Sequence, residues 1–397
     1  MAQAAFPFET LAASQHAWPV APSRAQAAAA SRDAEAFEIG WDHAHHRLTP
    51  PLAHLQAENP VHHGWRAGRT AFGLRTLRAT PAVRQWLTLR LQAWVQGVVF
   101  EGVQLTPHFV RQLSVTHCPI TREALTHDRG DGSDGVIERL FNGAAMAAGN
   151  LAQISQRAQQ AVSGTGWSHA QAQAAQLAHD ADAHIDGLNC AEWQRATTLM
   201  SFATPLPHAV AATLPLHMLP PPRVRVQNPV QAVQVVLTLL FQPAQCTQRM
   251  VALAALLPQG DTRQAYQVFM HTWLARRLAI QPEPEGTLSH QALEDLWLDP
   301  LIRRRWQRLA LRLTPMMCEQ FLQRAAAQGL IGRSSQWLSA EQATQGWALA
   351  SAGRVQAEPA DGHGVPATAS PTPGSLRNSG SQYPANCDAV TALGVFQ

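Results

Sequence analysis

Apolar residues recur at helical spacing along most of this 397-residue chain. After Asp261, the residues Tyr266, Phe269, Met270, Trp273, Leu274 and Leu278 fall on one stripe, which predicts a helix with a buried face. Trp86, Leu87, Leu91, Trp94 and Val98 do the same for a helix that follows Thr80-Pro81 and runs to about Phe100. Helix starts are written out at Thr106-Pro107, Asn228-Pro229, Asp299-Pro300 and Thr314-Pro315, where a capping side chain precedes a proline at the first helical position. Ser339 with Gln342 has the spacing of a capping box. Between Val115 and Asn142 the period shortens to β-like pieces broken by the turn-rich loop 128–134, and helix is expected again from Asn150. The pattern predicts a mainly α protein with a small ββα insertion.

Three stretches lack such periodicity. Residues 1–35 are rich in Ala, Gln and Ser and predict a loose arm, and 353–397 hold Pro, Gly, Ser and Thr in a composition that predicts a disordered tail. Seven prolines crowd 204–229, which predicts a linker between a helical domain at 36–203, carrying the ββα unit at 115–162, and a helical bundle at 230–352.

Composition bounds the chemistry. At 46% apolar and 14% charged residues, the chain can build one large or two ordinary cores, which excludes a disulfide-stapled mini-fold. All 30 basic residues are arginine, as a GC-rich coding sequence produces, so Schiff-base and phosphate-loop lysines are excluded. Five widely spaced cysteines with no Cys-x-x-Cys pair read as reduced thiols. The first residues lack a basic start followed by an apolar run, and no apolar segment approaches about 18 residues. A cytoplasmic protein with no membrane partner is therefore expected.

Two patterns suggest ligands. No acid occurs between Asn59 and Phe100, whereas Arg66, Arg69, Arg75, Arg78, Arg84 and Arg90 lie there beside Trp65, Trp86 and Trp94. Such a stretch suits contact with the phosphates of DNA or RNA, although the tryptophans also read as core and the arginines as balance for acids elsewhere. Asp42-His-Ala-His-His46 with His62-His63 offers metal-ligand types without the spacing of a closed site.

One segment carries a motif: Cys118-Pro-Ile-Thr, then Val136-Ile-Glu-Arg-Leu-Phe-Asn142, then Gly149-Asn-Leu-Ala-Gln-Ile-Ser-Gln-Arg-Ala-Gln-Gln160. It resembles the treble-clef ββα unit of HNH-type endonucleases over about 45 residues. The resemblance implies that Glu138 and Asn150 hold a magnesium or manganese ion, with Arg157 on the following helix in contact with nucleic acid. Arg139 stands at the family's histidine, where a guanidinium can clamp a phosphate and cannot act as a base. His127 in the preceding loop is the nearest candidate base. No structural zinc is expected, since Cys118 alone replaces two cysteine pairs and Thr121, Ser155 and Ala158 stand at the other positions. Two readings stay open: a nucleic-acid-associated protein, with or without phosphodiester cleavage, and a non-enzymatic helical scaffold that meets a protein partner.

Overall fold

A proline behind a capping residue opens six of the helices in the computed structural model, which describes residues 24–350 apart from 128, 181, 244–245, 281–286 and 332–337. The elements run α1 (Arg24–His45), α2 (Pro60–Phe72), α3 (Pro81–Gln96), α4 (Pro107–Gln112), β1 (Gly135–Arg139), β2 (Leu151–Ser155), α5 (Gln156–Val162), α6 (Trp167–Gln176) and α7 (Cys190–Ala203). They continue with α8 (His208–Thr213), α9 (Pro229–Leu239), α10 (Thr247–Leu256), α11 (Asp261–Arg277), α12 (His290–Asp295), α13 (Pro300–Ala310), α14 (Pro315–Ala327) and α15 (Ala340–Ala343). The protein is mainly helical, with one small antiparallel sheet among the described residues. None of the described helices is long and apolar enough to cross a membrane.

The caps work as their residue types require. Thr80, Thr106 and Thr314 each accept from the backbone N–H three residues on, and Asp299 accepts from Leu301 and Ile302. At Ser339 and Gln342 both bonds of the capping box form. On α11, Tyr266, Phe269, Met270 and Trp273 are buried, as their spacing predicts. Leu278 is not, being 74% exposed just past the helix end. Arg277 takes the buried position one turn after Trp273, and its Nε donates to Phe241 O at 2.8 Å.

The proline-rich segment corrects the division into two domains. A single hydrophobic cluster runs from Cys118 to Trp347, and Leu216, Met218 and Leu219 of the supposed linker are buried in it. Proline brings apolar surface and no N–H, so such a segment can be buried with few donors to satisfy. Asn228 supplies several of the partners: its Oδ1 accepts from Leu206 N, and its Nδ2 donates to Ser201 O and Thr204 O. At the middle of this core Trp297 meets Trp273 and Trp306 edge-on at 5.9 and 5.8 Å, and donates to Thr238 Oγ1.

The N-terminal helices pack on a smaller scale. The expected loose arm is helical from Arg24 onward, because α1 lies against α2 with backbone nearly touching. A methyl group on Gly40 or Gly64 would stand 1.9 Å from the carbonyl oxygen of Val61 or Phe37. Residues 1–23 and the expected tail at 353–397 lie outside the described residues. Leu89, Ala93, Leu105 and Val110 of the α3–α4 region close over Ile137, Met146 and Leu151, which ties these helices to the sheet.

Candidate functional site

The ββα unit begins with a tight turn around Cys118. Its N–H donates to Glu123 O and its C=O accepts from Arg122 N, both at 2.8 Å, with Arg122 in the left-handed region at φ 63°. Cys118 Sγ accepts from the N–H groups of Thr121 and Ser155 at 3.4 and 3.3 Å. The donor set of this turn does not fit zinc. Thr121 Oγ1 accepts from Glu123 N, Ser155 Oγ accepts from Ala158 N, and the thiol is buried. His117 is exposed while Cys118 is buried, so the two neighbours do not form a thiol–imidazole pair.

The two strands pair in register from Gly135↔Ser155 to Arg139↔Leu151. This corrects the expected helix start at Asn150. Leu151–Ser155 is a strand buried at all five positions, and the helix begins only at Gln156, with Ser155 as its cap. The strand is sandwiched between two cores: Leu151 belongs to the cluster under α3 and α4, while Ala152 and Ile154 belong to the main one. Burial on both faces erased the alternation that marks a half-exposed strand.

That register decides what the carboxylate and the amide can do. Glu138 pairs with Ala152 and is half-buried, and its Oε2 accepts from Gln159 Nε2 at 3.0 Å. Burial raises its carboxyl above the usual glutamate value, against the opposing effect of that hydrogen bond. Asn150 is fully buried. Its Oδ1 accepts from Phe141 N at 2.9 Å, and its Nδ2 donates to Phe141 O at 3.1 Å and Ala145 O at 3.0 Å. With both amide hydrogens and one oxygen lone pair spent on backbone groups in a fully buried place, Asn150 is poorly set to share a cation, so the pair does not fit the magnesium or manganese site that the resemblance implies. No group of three or more metal-ligating side chains occurs among the described residues.

The remaining predicted residues are scattered. His127 is exposed in the loop beside Asp134, whose carboxyl is held below its usual value chiefly by the hydrogen bond from Thr126 and least by His127. About 13 Å of strand separates Asp134 from Glu138, so His127 and Glu138 stand at opposite ends of β1. Arg139 donates to Ala144 O at 3.1 Å, inside the loop that joins the strands. Arg157 reaches Glu192 at 2.7 Å, Glu123 at 3.2 Å and Gly187 O at 2.7 Å, a network that locks α5 to α7 and leaves no free fork for a phosphate. The sequence does hold a clue to this lock: Asn189 and Glu192 have capping-box spacing, and both bonds form. Gln159, which holds Glu138, has no signal of that kind.

The six arginines of the acid-free stretch divide five to one. Arg90 is buried, paired with Asp42 and Glu38, and lies over Trp86 at 4.8 Å. Arg66, Arg69, Arg75, Arg78 and Arg84 are exposed, and none forms a salt bridge among the described residues. Part of the histidine cluster is committed elsewhere, while Nδ1 of His46 and Nδ1 of His62 are buried with no partner among the described residues. Asp42 serves Arg90, His43 Nδ1 donates to Ile39 O at 2.7 Å, and His45 stacks on Phe72 at 4.5 Å.

Comparison with known proteins adds no relative: no family model, no curated protein and no solved structure matches the chain.

Proposed function

We propose that the protein is a non-catalytic nucleic-acid-binding scaffold. In this reading the ββα unit is a packing element, and the arginines of α2, α3 and the turn between them meet the phosphate backbone of DNA or RNA. The observation that carries it is the exposed set of Arg66, Arg69, Arg75, Arg78 and Arg84, none with a carboxylate partner among the described residues. Guanidiniums in water give up little on meeting a phosphate and release its counterions. The side chains at the positions of HNH chemistry meanwhile hold backbone or one another, which supports binding without cleavage.

Fluorescence anisotropy with labelled single-stranded and duplex oligonucleotides tests this. Five phosphate contacts give a slope of log K against log salt of about −4.5 on duplex. The double variant Arg78→Gln, Arg84→Gln should make that slope shallower by about two. Absence of binding at low salt, or a slope that the variant leaves unchanged, removes the proposal.

A second reading, a scaffold for a protein partner, rests on Leu298, Leu301, Leu311 and Met316, all exposed around α13 and α14. Charging Leu311 and Met316 to Glu would leave oligonucleotide binding intact, which separates the two surfaces.

A further inference from the structure

A cavity of about 280 Å³ opens between α1, α3 and the loop that joins α1 to α2. Pro51, Leu91 and Val95 give it apolar walls, and His43 and His54 line it from α1 and from the loop. Each imidazole is held by its neighbours. His43 is buried and its Nδ1 donates to Ile39 O at 2.7 Å, which leaves Nε2 as the acceptor nitrogen. Burial lowers its pKa from the ordinary histidine value, so the ring is neutral at pH 7. His54 meets Trp94 edge-on at 5.8 Å, and Trp94 Nε1 donates to Arg32 O at 3.1 Å.

The remaining side of the cavity belongs to the face of α3 that carries Arg84. Arg84, Thr88, Gln92 and Gln96 follow one another at intervals of four residues, so they form one row, and all four are exposed. The last three of them line the cavity. Arg84 opens the row one helical turn before Thr88, about 6 Å along the axis. No acid occurs on α3 to draw an anion's counter-charge away. At the rim the amides of Gln92 and Gln96 each offer a donor and an acceptor. Pockets for drug-sized ligands run from about 300 to 1,000 Å³, so this one suits a single flat ring system.

We infer that this cavity binds a single unpaired nucleobase, with the phosphate attached to it on Arg84. The inference rests on the reading of α2 and α3 as a phosphate-binding surface, and adds to that surface a preference for bases that are not paired. A nucleobase is flat and apolar on its faces and carries donors and acceptors along its edge. The apolar walls and the imidazoles take the faces, while Gln92, Gln96 and His43 Nε2 take the edge. A base inside a duplex is stacked and paired, and reaches such a cavity only by leaving the stack. The same base and phosphate are carried by a single strand and by a free nucleotide.

Fluorescence anisotropy on the full chain tests the cavity by comparing a labelled single-stranded oligonucleotide with an abasic strand of the same length, which keeps every phosphate and lacks the bases. The strand with bases should bind about tenfold more tightly. Thr88→Phe fills the cavity from an exposed position, so it should bring the two affinities together and leave the salt dependence, which the arginines set, unchanged. The double variant Gln92→Ala, Gln96→Ala should narrow the difference about fivefold. Adenosine monophosphate that displaces the strand at equal concentration identifies a free nucleotide as the ligand; displacement only at large excess identifies a base carried on a strand. Equal binding of the two strands with a steep salt dependence overturns the cavity and leaves the phosphate surface standing, whereas no binding of either strand removes both. A folded Thr88→Phe that keeps the full preference for bases also overturns the cavity.

Discussion

Replacing Asn150 separates a structural amide from a metal ligand. In Asn150→Ala the N–H of Phe141 and the C=O of Ala145 lose their Asn150 partners inside a fully buried site. Phe141 O is less affected, since it also accepts from Ala144 N. Two or three net hydrogen bonds at about 1 kcal/mol each, with a buried donor left unpaired, come to about 3 kcal/mol. Asn150→Asp sharpens the contrast. Aspartate is a good metal ligand, but here its second oxygen would face the carbonyls of Phe141 and Ala145, so this variant should lose at least as much. Urea unfolding followed by tryptophan fluorescence measures both. Variants that unfold within about 0.5 kcal/mol of wild type would refute the reasoning, since that is the range of surface substitutions.

Other consequences follow from the same packing. Gly64→Ala puts a methyl carbon 1.9 Å from Phe37 O, so α1 must move off α2, at a cost of about 3 kcal/mol or more in thermal or urea unfolding. Glu138→Gln should be neutral or stabilising at pH 7, because the folded state raises this carboxyl and so loses stability as pH rises through its titration. The gain over wild type should vanish below the ordinary glutamate value of about 4.3, as a pH series of unfolding midpoints would show.

How far the fold could be read in advance depended on where the signal lay. Helix starts were legible wherever a cap and a proline carry the instruction locally, as at Thr80-Pro81 and Asp299-Pro300. The strand at Leu151–Ser155 was not, because a segment buried on both faces has no alternation to display. Nor was the burial of the 204–229 segment, where prolines read as a linker until Asn228 is seen serving the backbone around it. At the candidate site, the residue types and the order of knuckle, hairpin and helix were visible. Their commitments were not: that Arg90 is claimed by Asp42, 48 residues away, or Arg157 by Glu192, 35 away, depends on tertiary packing that no local spacing encodes.

The central claim is that the ββα unit is held together by the very side chains that chemistry would need. It is tested most directly by incubating the wild-type protein with labelled DNA and RNA, single-stranded and duplex, in magnesium and in manganese, at concentrations that saturate binding. Every strand should stay intact. Metal-dependent cleavage that Glu138→Ala abolishes, while the variant remains folded, would contradict it.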